Sequence, residues 1–265
     1  MKKKIFLILF IVGLMVFLTP FIRREYTNYS FLKKSEVIQT RLTSLSEEDK
    51  KKKLEQENNE EISSTIDVFN EKKLTFKSEQ DEVGYLIIPK INQVLPLFLG
   101  AEEAHLANGV AQIKGTSLPL EGLDSNTVIA GHRGYYGALI FRYLDQLEQG
   151  DLVYVNYLGE EAIYKVTGQS VIKPANKEEL KPVRGKELVT LFTCHPYPQN
   201  SHRLLVKAER LKIEKQEEQV AISEITKNVN KKSSLLVVTK ESIVPKGVLL
   251  IGALILIYSI VGLFK

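Results

Sequence analysis

A single cysteine, Cys194, closes the apolar run Glu187-Leu-Val-Thr-Leu-Phe-Thr-Cys194 and stands directly before the turn-forming Pro196-Tyr-Pro-Gln-Asn200. With no second thiol in the chain it cannot form an internal disulfide, which leaves inert packing, metal binding or nucleophilic chemistry. Its surroundings favour chemistry. Arg203 follows across the turn, at the head of a second strand-like run, Arg203-Leu-Leu-Val-Lys-Ala208. His132 lies upstream in Ala130-Gly-His-Arg-Gly134, where the apolar Thr127-Val-Ile-Ala130 gives way to a glycine-flanked loop. A thiol is a useful nucleophile as thiolate, which a nearby imidazolium stabilises before giving its proton to a leaving amine. A fixed guanidinium can stabilise the oxyanion of acyl transfer, and losing such a donor costs about 3 kcal/mol. Arg203 suits that task because adjacent antiparallel strands would bring it close to Cys194.

Metal binding is the rival reading, since His195 and His202 flank the same turn. Successive residues of an extended chain point to opposite faces, so Cys194 and His195 are not expected to hold one ion together. His105, inside a short helical stretch, reads as a packing or surface residue. The motifs G-x-x-x-x-G-K, G-x-S-x-G and H-E-x-x-H do not occur.

The elements that must position these residues read as mainly β. Candidate strands are Gly84–Ile88, Val94–Leu99, Val110–Ile113, Thr127–Ala130, Leu152–Tyr157, Ala162–Lys173, Leu188–Thr193 and Arg203–Arg210. They are short, rich in β-branched and aromatic residues, and separated by Gly, Pro and Asn turns. Two helices are expected among them, Glu102–Asn108 and Ala138–Leu147, the latter for its apolar Leu139, Phe141, Leu144 and Leu147. So many strands with so few helices suggest a barrel or a sandwich.

At 265 residues, 44% hydrophobic and 26% charged, the chain can bury one domain and carry appendages. The net charge of +4 is modest and lacks the aromatic-interleaved basic patch of a nucleic-acid binder. Both ends are apolar. Ile5 to Ile22 is free of charge, follows three lysines and precedes Arg23-Arg24. No alanine occurs before Ala101, which removes any Ala-x-Ala cleavage site and makes an uncleaved anchor the expectation. Val248 to Phe264 would span about 25 Å as a helix, and Lys246 and Lys265 at its edges can snorkel to cover the shortfall against a core of about 30 Å. The lysine-rich N-terminal tail predicts a cytoplasmic start, two spans and an exterior body. The expected organisation is therefore an anchor over 1–24, a helical stalk over 25–81, a β-domain over 82–212, a linker over 213–243 and a second span over 244–265. In the stalk, Leu32, Ile38, Leu42 and Leu45 recur at roughly helical spacing and Ser46-Glu-Glu-Asp49 looks like a helix start. The charged run Asp49–Glu61 reads as a solvated spacer.

These residues match a known pattern. Thr190-Leu-Phe-Thr-Cys194, Arg203 beyond the turn and Ala-Gly-His132-Arg-Gly upstream resemble the signature of the sortases, the transpeptidases of the Gram-positive cell surface. Phe141-Arg-Tyr-Leu144, Gly150-Asp-Leu-Val-Tyr-Val155 and the run from Thr193 to Val206 resemble the class C, pilin-polymerising branch. The resemblance covers Gly84 to about Arg210. It implies an eight-stranded sortase β-barrel with a few short helices, needing neither metal nor organic cofactor. Cys194 would attack the Thr–Gly bond of an LPxTG-like sorting signal, with His132 as acid and base, Arg203 on substrate or oxyanion, and Thr193 as a substrate contact. A pilin lysine amine would resolve the thioacyl intermediate. Attachment to a peptidoglycan precursor, or a non-catalytic membrane-tethered peptide-binding domain, are the alternatives. Class C sortases carry an Asp-Pro-aromatic lid ahead of the barrel. The nearest match is Asp67-Val-Phe69, where valine replaces the stiffening proline.

Overall fold

The computed structural model describes residues 2–43, 82–134, 138–212 and, except for 249 and 256, 247–257. A long helix α1 (Lys2–Thr43) leads into β1 (Gly84–Ile88) and β2 (Gln93–Leu99), then α2 (Glu103–Asn108), β3 (Val110–Gln112) and β4 (Ser125–Ala130). After these come β5 (Leu152–Tyr157), β6 (Glu160–Ile172), β7 (Glu187–His195) and β8 (His202–Arg210). The strands close into a barrel in the order β1-β2-β3-β4-β7-β8-β6-β5, with β5 pairing back onto β1. A sandwich is thereby ruled out, and each expected strand is present with its ends shifted by at most two residues.

Local chemistry explains most of this order. β7 and β8 form an antiparallel hairpin across the Pro196–Asn200 turn. β2 and β3 run parallel, which demands a crossover, and α2 supplies it. β4 and β7 are also parallel and are covered on both faces, so they read as continuous apolar runs rather than alternating ones.

Two apolar clusters divide the sheet faces. The larger fills the barrel with Ile129, Val189, Leu191, Leu204 and Val206 among others. The smaller lies on the opposite face of the same strands, where Val128, Ala130, Phe192 and Leu205 pack with Leu106 of α2 and with Ile172 and Leu180. Odd and even positions of β4, β7 and β8 thus belong to different cores, as the twofold repeat of a strand requires.

The stretch 138–147 departs from the helical expectation. Only Leu144–Gln146 forms a 3-10 turn, and Ile140 takes a left-handed φ of 42° that no helix continues through. The reason is burial on more than one side: Ala138, Ile140, Phe141, Leu144 and Leu147 all enter the barrel core, so the segment acts as a plug rather than a one-sided helix.

α1 runs unbroken through Pro20 and past the expected anchor boundary. Phe31, Ile38 and Leu42 join the barrel core, and Arg41 Nη2 donates to the Glu82 carbonyl at 2.8 Å and its carboxylate at 3.2 Å. This part of the chain therefore docks on the barrel. Among the described residues no helix is assigned as long and apolar enough to cross a membrane. α1 is nevertheless divided along its length, its charge-free run from Ile5 to Ile22 leaving Leu9, Val12, Val16 and Phe17 exposed. Leu18 is buried against Gly252, where an added Cβ would lie 2.7 Å from Leu18 Cδ2. The residues expected to form a lid, Asp67 and Phe69, the charged run 49–61 and the expected linker 213–243 lie outside the described residues.

Candidate active site

Pairing across three strands assembles the site. In β7 and β8, Cys194 and Arg203 are directly opposed, two residues beyond the buried pair Phe192 and Leu205. In β4 and β7 the last ladder pair is Ala130 with Phe192, and the Gly131 amide donates to the Phe192 carbonyl at 3.1 Å. Carried two residues further, the same register would bring His132, past the end of β4, toward Cys194. Side chains two apart share a face, so Cys194 and Arg203 form a polar pair directly above the apolar pair Phe192 and Leu205, with His132 in the loop two residues beyond Ala130.

The loop that bears His132 is held at each residue. Thr193 Oγ1 donates to the Gly131 carbonyl at 2.7 Å, and the Phe141 amide donates to the His132 carbonyl at 3.1 Å. A Cβ on Gly131 would fall 2.7 Å from Phe141 Cδ2, so glycine is needed for the plug to approach the loop. Thr193, expected as a substrate contact, is fully buried with its hydroxyl turned to this loop.

Arg203 is 3% exposed and Cys194 is 8% exposed. The guanidinium bends toward the β7–β8 turn, where Nη1 donates to the carbonyls of Asn200 and His202, both at 2.9 Å. One nitrogen thus fixes the plane of the fork beside the thiol. Burial pushes His132 below the ordinary imidazole range, partly offset by the negative charge of Glu103 on α2. A neutral ring is therefore favoured near pH 7, ready to accept a proton.

A second row lies on the other face, and sequence reasoning missed it. Arg133, 7% exposed, sends Nη1 to His195 Nδ1 at 2.6 Å and to the Cys194 carbonyl at 3.4 Å, while Nη2 pairs with Asp145 at 2.7 Å. Guanidinium nitrogens only donate, so Nδ1 of His195 accepts and the neutral ring keeps its proton on Nε2. Burial, then the Arg133 charge, lowers the His195 pKa, with His202 adding and Asp145 opposing. His195 is thus occupied by Arg133, and Cys194 and His195 do point to opposite faces. His105 is a packing residue, stacked on Phe98 at 4.8 Å with Nδ1 against the Gly100 carbonyl at 2.7 Å. Among the described residues no three His, Cys, Asp or Glu side chains gather as a metal site.

A closed eight-stranded barrel therefore carries Cys194 opposite Arg203 at the end of the β7–β8 hairpin, with His132 two residues beyond β4. The sortase-domain family profile matches residues 86–211. Sortase A of Bacillus anthracis is 31% identical over 127 residues, which make up 48% of this chain and 59% of that protein. The chain thus spans about three fifths of this curated relative. The crystal structure of sortase C-1 from Streptococcus pneumoniae superposes with a TM-score of 0.61 at 32% identity, covering 68% of this chain and 99% of that one. Sortase C-1 from Actinomyces oris gives a TM-score of 0.54 at 36% identity, covering 63% and 98%. The chain belongs to the sortase family, whose members are cysteine transpeptidases.

Proposed function

We propose that this chain is a membrane-anchored cysteine transpeptidase of the class C branch, joining pilin subunits at the outer face of a Gram-positive cell. The pairing of Cys194 with Arg203 across β7 and β8, with His132 two residues beyond the neighbouring β4, supports the catalytic part of the proposal. Cys194 Sγ attacks the threonine carbonyl carbon of an LPxTG-like signal while its proton passes to His132. Arg203 donates to the oxyanion. Collapse breaks the Thr–Gly bond, His132 returns the proton to the departing glycine amine, and a thioester remains. A pilin lysine amine then attacks the thioester and gives its proton to His132. The thiolate leaves, regains a proton, and an isopeptide bond results. Only acyl and proton transfers occur, so atoms and electrons balance without a cofactor.

Likeness to sortase C enzymes, two of them from Streptococcus and Actinomyces, supports the branch. Exposed apolar residues along the N-terminal half of α1, after Lys2-Lys-Lys4, support anchoring, as does the apolar segment packed beside it at Gly252. We assign Asp67 and Phe69 to a lid, the carboxylate for Arg203 and the ring over Cys194.

The test uses the full chain in detergent micelles with a sorting-signal peptide. Mass spectrometry should find the acyl group on Cys194, and Cys194→Ala should abolish both adduct and cleavage. Persistence of cleavage in that variant would end the proposal. Purified pilin should then be converted to a covalent ladder, and hydrolysis without a ladder assigns the enzyme to wall attachment.

A further inference from the structure

We infer that Arg133 is a positioning residue of this site, an inference that rests on the thioacyl-transfer reading above. Arg133 follows His132 directly, so whatever fixes one backbone constrains the other. From the loop after β4 its guanidinium reaches two other segments: the end of β7 through His195 and the Cys194 carbonyl, and the 3-10 turn through Asp145. On the other side of His132, Gly131 is tied to Thr193. The histidine is therefore bracketed by two links, both made to the residues that flank or carry the thiol. Its guanidinium is engaged by His195 and Asp145 on the face opposite Cys194, so its action runs through the backbone of His132 and Cys194.

Arginine suits the place for a geometric reason. Different nitrogens of one rigid plane serve His195 and Asp145, which a lysine ammonium on a flexible stem cannot reproduce. Loss of the plane frees the loop to shift, and misplacement of reacting groups by about 1 Å costs on the order of a hundredfold in rate.

The test measures acylation of the full chain in detergent by a sorting-signal peptide, for wild type and for Arg133→Met, Arg133→Lys, Asp145→Asn and the Arg133→Met/Asp145→Asn double variant. Arg133→Met should lower kcat by about tenfold to a hundredfold with KM within about twofold, and Arg133→Lys should recover little of it. Asp145→Asn should lose less, and the double variant should be no worse than Arg133→Met, because both changes disable one unit. Unchanged kcat, a loss that only tracks the unfolded fraction seen by circular dichroism, or independent multiplying losses would overturn the inference. If Arg133→Met does not fold, Arg133→Lys and Asp145→Asn are judged by the same kcat and KM criteria. A wild-type chain that never acylates sinks the transpeptidase reading instead, so the two failures are separable.

Discussion

The ring of Phe141 occupies the space that a side chain on Gly131 would need, with Cδ2 only 2.7 Å from where a Cβ would sit. The barrel plug and the loop bearing His132 are therefore in direct contact, and the Phe141 amide also holds the His132 carbonyl. Gly131→Ala should push the two apart, costing about 1 to 3 kcal/mol as overpacking does. Urea denaturation should show that loss, and acylation should fall further than stability alone explains because His132 moves with the loop. Normal acylation at full stability would contradict this coupling.

Arg203→Ala should reduce kcat by roughly a hundredfold or more, the usual consequence of losing an oxyanion donor. Arg203→Lys should recover little, since a lysine cannot satisfy two turn carbonyls and still present a planar donor edge. Peptide cleavage by the full chain reads both variants.

The pH dependence follows from the direction of the His132 shift. Burial lowers its pKa below 6.5, so the ring stays neutral further into the acid range. The acid limb of kcat/KM should fall below pH 6.5. In the unfolded chain His132 takes up its proton near the ordinary value, so its contribution to stability is present above that pH and is lost as pH falls toward the folded pKa. His132→Gln should flatten this part of the stability profile. A limb at or above 6.5 would contradict the buried environment.

What the sequence made legible was local. Cys194 and Arg203 meet across a short turn, so alternation alone brings them to one face. The strands were readable from β-branched runs between Gly, Pro and Asn. The role of Arg133 was not, although it stood in the quoted Gly131–Gly134 loop, because it depends on the parallel pairing of β4 with β7, residues far apart in the chain. Residues 138–147 misled for a different reason. Phe141, Leu144 and Leu147 have helix-like spacing, but Ile140 is buried too, and a segment apolar on several sides fills a cavity better than it lines a groove. The docking of α1 was hidden likewise, since Ile38 and Leu42 look the same on a free amphipathic helix as on a packed one.

That docking can be tested by itself. Leu42 is fully buried in the barrel core, so Leu42→Ala should destabilise the barrel by about 2 to 5 kcal/mol. Chemical denaturation of the full chain in detergent measures it, and a change within error would mean that α1 is not part of the folded unit.

Since α1 is one continuous rod, its upper half bolted to the barrel by Phe31, Ile38 and Leu42, there is no swivel between foot and head. If Ile5 to Ile22 are seated in lipid, as proposed, Phe31 rides only about 14 Å above the last apolar turn. The catalytic mouth then keeps a set altitude and bearing over the bilayer. On the proposed anchoring, substrates would be selected by how high their sorting signal floats as well as by its letters, and the search for them would be a two-dimensional one.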